Sequence, residues 1–313
     1  MTRVSRALPT VATMLTLTAV LATGCTASAP VEPSDTDPAP LSVPDPAPLS
    51  VPDPASLSAS EPVAGCGPGS GATKNDGSLT LATDSPAYPP WFASDDPANG
   101  EGYEGAVARQ VAERLGYDSD SVRFVVVPFA DALAPGVKDF DFAINQFTIS
   151  DDRRSAVDFS SPYYAVAQAV VALRESPAAE ARSTADLVRF RLGAQEHSTS
   201  LGTAAATVQT ELPGTAYATN DDAKEALLAG EIDALVVDLP TGLQISEELS
   251  ETVMVGQFSR STAAPDRFGL VLEKDSPMTT CVSIAVETLY DSGVLDALAG
   301  TWITDTAGVR VLD

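Results

Sequence analysis

The chain has 313 residues, with 18 Lys+Arg against 43 Asp+Glu, a formal net charge of −25 and a single histidine. Nucleic acid and anionic lipid surfaces recruit basic patches, so a chain this acidic is repelled by both. One histidine excludes multi-histidine metal sites, and a Ser-His-Asp device would have to use His197. No metal or cofactor is expected.

Arg3 and Arg6 precede an apolar run from Ala7 to Ala22, which ends at Thr23-Gly24-Cys25. A positive start, a short apolar stretch and a small-residue cleavage site make an export signal over residues 1–24. The run is too short, and too interrupted by Thr and Pro9, for a membrane-spanning helix. A cysteine straight after the small residues resembles the lipobox of bacterial lipoproteins, in which that cysteine, here Cys25, becomes the lipidated N-terminus. Ala22 stands where leucine is commoner, and ordinary cleavage with Cys25 as a bystander is the alternative.

Residues 26–65 hold ten of the 24 prolines, no Lys, no Arg and no aromatic residue. Within them runs an octapeptide repeat, DPAPLSVP (37–44), DPAPLSVP (45–52) and DPASLSAS (53–60). Such a segment buries too little apolar surface to offset its ordering entropy, and proline keeps it extended. Residues 25–65 read as a stalk behind Cys25, or else as a neutral low-complexity insertion. The other cysteines are Cys66, where the repeats have ended, and Cys281 in a helical pattern. In an exported chain the oxidising compartment favours a Cys66–Cys281 disulfide.

From residue 76 strands and helices alternate. Leu79–Thr83, Arg123–Phe129, Phe140–Asn145, Ala167–Arg174, Phe190–Gln195, Ile232–Val237, Val253–Phe258 and Phe268–Leu272 read as strands. Glu104–Leu115, Thr199–Thr210, Asp221–Ala229, Thr279–Tyr290 and Val294–Thr301 read as helices. The alternation implies an α/β fold with mostly parallel sheets flanked by helices, and about 240 residues of it suggests two lobes. Ligands of such sheets sit beyond the carboxyl ends of the strands.

Polar groups gather at those ends. After the first strand, Asp84 opens a Pro-rich loop in which Tyr88 and Trp91 are placed to hold an aromatic face over a cleft. After the third come Asn145, Gln146 and Thr148, then Ser150-Asp151 as a helix start. Arg153 follows, whose planar fork suits a carboxylate. Asp238, closing the strand Ile232–Val237, suits an ammonium, so Arg153 and Asp238 together match a zwitterion.

The stretches TDSPAYPPW (83–91), DFAINQFTISDDRRSAVDFSSPYY (141–164), IDALVVDLP (232–240) and DSGVLDALAGTWI (291–303) carry a resemblance. Together they resemble the polar-amino-acid-binding proteins of bacterial ABC importers, the type II periplasmic-type solute-binding proteins. The resemblance implies two lobes joined by two crossover strands that act as a hinge, with lobe 1 at 66–166 plus 264–313 and lobe 2 at 167–263. It puts Arg153 on the ligand α-carboxylate, Thr148 on the hydroxyl beside it, and Asn145 and Gln146 on the preceding binding turn. Asp238 falls on the α-ammonium, Asp84 and Tyr88 near the ligand side chain with Phe129 as a second aromatic wall. Gln195, Thr199 and Ser200 are the lobe 2 contacts.

Three departures stand out. Ala87 is an extra residue before Tyr88, His197 stands where a glycine is usual, and the Asn145-Gln146 pair occurs in cystine-binding relatives. The implied protein is a monomer at the outer face of the cell membrane, anchored there by lipid alone. It would hand an amino acid to a permease whose ATPase is a separate chain. Rival readings are a binding lipoprotein that senses without transport, and a dehydratase on the same fold, for which Glu196 is the nearest general-acid candidate.

Overall fold

The computed structural model describes residues 62–259, 265–306 and 308–313. The export signal expected over residues 1–24, Cys25 and the expected stalk up to residue 61 lie outside the described residues. Residues 62–65 belong to the folded part, because the Val63 amide donates to the carbonyl of Arg114 at 2.8 Å.

The first sheet has the order β2-β1-β3-β12-β4, built from β1 (Leu79–Thr83), β2 (Val122–Val126), β3 (Phe142–Ala143), β4 (Val157–Phe159) and β12 (Val271–Glu273). Every residue of β1 is buried, as expected of a parallel strand covered on both faces. The second sheet runs β13-β10-β6-β9-β7-β8, from β6 (Gln168–Leu173), β7 (Leu192–Gln195), β8 (Thr215–Tyr217), β9 (Ala234–Asp238), β10 (Thr252–Phe258) and β13 (Val311–Leu312). Between the sheets, β5 (Tyr164–Val166) pairs antiparallel with β11 (Asp266–Phe268), the two crossovers of the chain. Parallel pairings outnumber antiparallel ones by only five to four within the two sheets, which are therefore mixed.

The helices are α1 (Tyr103–Arg114), α2 (Phe129–Leu133), α3 (Asp151–Arg154), α4 (Thr184–Leu187), α5 (Ser200–Val208), α6 (Asn220–Leu228), α7 (Leu239–Glu248), α8 (Thr279–Asp291) and α9 (Val294–Trp302). Four sequence expectations change. The second strand stops at Val126, because Pro128 precedes a one-turn helix that Phe129 opens. The strand expected over Phe268–Leu272 is two: its first part pairs with β5 and its second with β4, hinged at Gly269. A Cβ at Gly269 would meet the Ile149 side chain at 2.8 Å, so a larger residue here would displace Ile149 in the turn after β3. Helix α7 was hidden by Pro240 and Gly242, yet Pro suits a first helical turn and a Cβ at Gly242 would meet Met254 at 2.7 Å. Finally, Val311 and Leu312 pair with Gln257 and Phe258, so the C-terminal strand lies on the second sheet and not in lobe 1.

Cys66 and Cys281 form a disulfide with their Cα atoms 5.8 Å apart, tying the start of the described chain to α8 across a sequence separation of 215. Among the described residues no helix is long and apolar enough to cross a membrane.

Candidate functional site

The carboxyl ends of β1, β3, β7 and β9 converge on one cleft. Asp84, Tyr88, Phe129, Asn145, Gln146, Thr148, Arg153, Gln195, Thr199, Ser200 and Asp238 line it, together with Ser198, Asn220, Val237 and Thr241.

Arg153 reaches the cleft because Ser150 caps α3, its hydroxyl accepting the Arg153 amide at 3.3 Å. The guanidinium lies over the Phe129 ring, 5.6 Å from its centroid, and Phe129 stacks on Phe147 at 4.9 Å. Its Nη1 donates to the Thr148 carbonyl at 2.7 Å and its Nη2 to the His197 carbonyl at 2.6 Å, so this arginine already spans both lobes. Burial pulls its pKa down, while the negative charges of Asp266 and Asp238 oppose that.

Asp238 ends β9 and stands at the N-cap of α7 without capping it through its side chain. The Gln168 amide donates from one Nε2 to Asp238 at 2.6 Å and to Asp266 of the crossover at 2.8 Å. Flipping that amide would set its oxygen against two carboxylates, so its orientation is fixed by charge. Burial first, and then the charge of Asp266, pushes the Asp238 pKa up to about 8 against the Gln168 hydrogen bond. Asp266 also accepts from the Thr199 hydroxyl at 2.7 Å, and Thr199 lies 3.3 Å from the Thr148 hydroxyl across the cleft.

The remaining side chains divide between lining and scaffolding. Asp84 accepts the backbone amides of Ser85 at 2.8 Å and Phe129 at 3.0 Å, so its carboxylate organises the wall it belongs to. The Tyr88 ring faces Lys224 at 5.3 Å, and Lys224 pairs with Asp221 at 2.6 Å. Burial and the nearby Asp221 raise the Tyr88 pKa, so the phenol stays neutral. The Gln195 amide donates to the Ala218 carbonyl at 3.4 Å.

Trp91 is a correction. It does not line the cleft but is fully buried beneath it, with ring contacts to Tyr103, Tyr164 and Phe268. Its indole donates to the Thr241 hydroxyl at 2.9 Å, joining the first lobe to α7. His197 has an exposed imidazole and a φ of +60°, the left-handed region that glycine favours, and it is the carbonyl of this residue that meets Arg153. Glu196 is exposed and does not line the cleft.

Four lining residues escaped the sequence reading. Ser198 adjoins residues that were chosen, and Asn220 opens α6 behind the Thr219–Asp222 capping box, a readable helix start. Thr241 sits one turn after Asp238, which shows only once α7 is recognised. Val237 precedes Asp238 and reads as strand core.

The deepest omission is Glu104, which is fully buried in α1. It accepts the Gln146 backbone amide at 2.7 Å, the Gln146 side-chain amide and the Tyr163 hydroxyl. Burial pushes its pKa up to about 7 in spite of those three hydrogen bonds. Among the described residues no group of three or more His, Cys, Asp or Glu is placed to hold a metal ion.

Comparisons with known proteins bear on this cleft. The family described as bacterial extracellular solute-binding proteins, family 3, matches residues 79–305. The L-cystine-binding protein TcyJ of Escherichia coli strain K12 is 27% identical over 237 residues, covering 73% of this chain and 84% of its own. Among solved structures, an ancestral arginine-binding protein bound to arginine is 25% identical, with a TM-score of 0.60 over 73% of this chain and 99% of its own. A second, an ancestral arginine-binding protein bound to glutamine, is 26% identical with a TM-score of 0.60 over 73% and 98%. The two sheets with their paired crossovers are thus the two lobes of a type II periplasmic binding fold, and the chain belongs to the family 3 bacterial extracellular solute-binding proteins.

Proposed function

We propose that the chain captures a polar L-amino acid between its lobes and delivers it to the permease of an ABC importer. The observation that carries this reading is the pairing of opposite charges in one cleft. Arg153 lies on the first-lobe wall and Asp238 on the second, each held by neutral hydrogen-bond partners. A zwitterion must surrender the hydration of both its charges, which is tolerable only where each finds a fixed partner. Neither wall supplies both, so closure around the ligand is favoured and the closed form is what the permease reads.

The side chain of the ligand is bounded by Asp84, Tyr88, Phe129 and Gln146. Those groups favour a neutral or cationic polar side chain over an acidic one, and the relatives named for cystine and arginine fall in that range. Among the lining residues named above there is no glutamate, and Asp238, the lining carboxylic acid whose pKa is raised, is committed to the ligand ammonium in this reading, so we read the chain as a binder. Anchoring through a lipid on Cys25, with residues 26–61 as the tether, completes the reading. Cys25→Ser should then release the protein from cells, and retention of that variant at the membrane would refute the anchor.

The decisive experiment is a thermal-shift screen of the twenty amino acids and cystine on the wild type and on Arg153→Ala. A ligand at 100 times its Kd stabilises by about 2.7 kcal/mol, a shift of several degrees. One or a few polar amino acids should shift the wild type and none the variant. Equal shifts in both proteins would remove Arg153 from the site.

A further inference from the structure

Gln146 adopts a φ of +46°, a left-handed conformation that a residue with a Cβ holds only where its surroundings over-determine it. It sits in the turn after β3, between Asn145 and Thr148, all lining the cleft. The groups that impose this conformation come from behind. One oxygen of Glu104 accepts the Gln146 backbone amide at 2.7 Å and the other accepts its side-chain amide, so one carboxylate grips the residue at two points. The Tyr163 hydroxyl donates to the same carboxylate, and the Tyr103 hydroxyl donates to the Tyr163 carbonyl at 2.8 Å.

The position of Glu104 is itself fixed. It is the second residue of α1, where the helix dipole favours an anion, and its amide donates to the Trp91 carbonyl at 2.8 Å. Gly102, two residues before it at the N-cap of α1, has a φ of +84°, and a Cβ there would lie 2.5 Å from the Trp91 carbonyl oxygen.

We propose that Glu104 is a positioning residue for the ligand site, holding Gln146 in its left-handed turn and so setting affinity from outside the cleft. The proposal rests on reading the cleft as an amino-acid site. A carboxylate with three donors pointing at it has no counterpart in a protonated acid, which must itself donate from one oxygen. The Tyr163 hydroxyl can rotate to accept that proton, but the protonated oxygen is then the one the Gln146 backbone amide also uses, and a hydroxyl oxygen is a weaker acceptor than a carboxylate oxygen. Protonation of Glu104 therefore loosens the turn.

Its titratable neighbours are Tyr103 on the same helix, Tyr163 after β4 and Asp238 at the end of β9. The tyrosines stay neutral, since burial raises both. Asp238 titrates near Glu104, the one pushed up to about 8 and the other to about 7. Acid weakens binding through both, and only variants separate them.

The test uses calorimetry with L-arginine, L-histidine, L-glutamine and L-cystine as probes, at pH 6 and pH 8, on the wild type and Glu104→Gln. The variant should lose at least tenfold in affinity at pH 8 for whichever probe binds, and its remaining pH dependence should be that of Asp238 alone. The loss should shrink to threefold or less when both proteins carry Gln146→Gly, which no longer needs a left-handed turn enforced. Affinities within twofold of wild type at both pH values, or an undiminished loss in the glycine background, would overturn the proposal.

If neither these probes nor any other of the twenty amino acids binds the wild type, the amino-acid reading fails, and the positioning role is decided by NMR. The Gln146 backbone and side-chain amide resonances of the wild type should shift together as pH passes through the Glu104 titration. Resonances that stay put across pH 5–9 would reject the role, and this readout also serves if Glu104→Gln does not fold.

Discussion

The first-lobe and second-lobe walls of the cleft each stand on an acid whose pKa is raised, and the two acids differ in how they are satisfied. Glu104 accepts three hydrogen bonds from two residues of its own lobe, Gln146 and Tyr163, and it does not line the cleft. Asp238 is partly exposed to the cleft, accepts from Gln168, and shares that amide with the like charge of Asp266. A saturated acid shapes the protein around it, whereas an acid left short of donors beside a like charge calls for a cation from outside. The first lobe is thus the built side, further stapled by Cys66–Cys281, and the second carries the unmet charge.

The largest expected effect tests whether the first lobe owes its rigidity to that staple. In the chain-entropy account, a cross-link closing a loop of more than 200 residues stabilises by about 5 kcal/mol. Reduction, or Cys281→Ser, should lower the melting temperature by about 10 °C or more. Amides of the first lobe should lose hydrogen-exchange protection before those of the second. Simultaneous loss in both lobes would mean that the staple serves the whole molecule, and the contrast between the lobes would fall.

Asp238→Asn comes next. It keeps the shape of the side chain and removes the charge, so binding of the amino acid should weaken by about 2 kcal/mol or more, and binding of its deaminated analogue much less. Equal losses for both would contradict a role toward the ammonium.

The ligand-free protein should respond in the opposite sense. Because the folded pKa values of Glu104 and Asp238 lie above those of an unfolded chain, near 4, the folded state holds more protons. The stability they contribute is full below about pH 4 and is lost as pH rises through about 7 and about 8. The melting temperature of the empty protein should fall over that window, and Asp238→Asn should flatten the upper part of the fall. A melting temperature that rises between pH 5 and pH 8 would contradict both assignments.

Much of this arrangement was legible in the sequence, for a physical reason. Asp84, Asn145, Gln195 and Asp238 stand at or just past strand ends, with Thr148 and the α3 residue Arg153 following Asn145, and strand ends are visible as the points where an apolar run meets polar residues. What stayed hidden depends on crossovers. Glu104, Gln146 and Tyr163 meet only because α1, β3 and β5 pack together, and no spacing along the chain announces that. Gln168 stands beside Asp238 only through the antiparallel pairing of β6 with β9, and Asp266 only because β11 pairs with β5, neither of which the local sequence announces. Trp91 was misplaced because an aromatic residue in a Pro-rich loop has the same signature over a cleft as beneath one; burial decides, and burial is not local.

Trp91→Phe sharpens that point with a smaller effect. Phenylalanine keeps most of the buried ring and removes the one hydrogen bond that crosses to Thr241, for about 1 kcal/mol. If the indole acts by joining the lobes, affinity should fall severalfold for every ligand alike. A changed order of ligand preference would return Trp91 to the lining.

The smallest effect concerns the lone histidine on the second-lobe wall. His197 holds a φ of +60°, which disfavours any residue with a Cβ, and its imidazole is exposed. What the cleft uses is its carbonyl, which accepts Arg153 Nη2 at 2.6 Å, and a glycine would present the same carbonyl without the strain. Glycine also loosens the unfolded chain, which offsets part of that relief. His197→Gly should therefore raise stability by at most about 1 kcal/mol and leave affinity within twofold between pH 5.5 and pH 8. A larger loss of affinity would show the imidazole itself at work on the ligand, and the contrast with the first lobe would then have to be redrawn around a side chain rather than a backbone carbonyl.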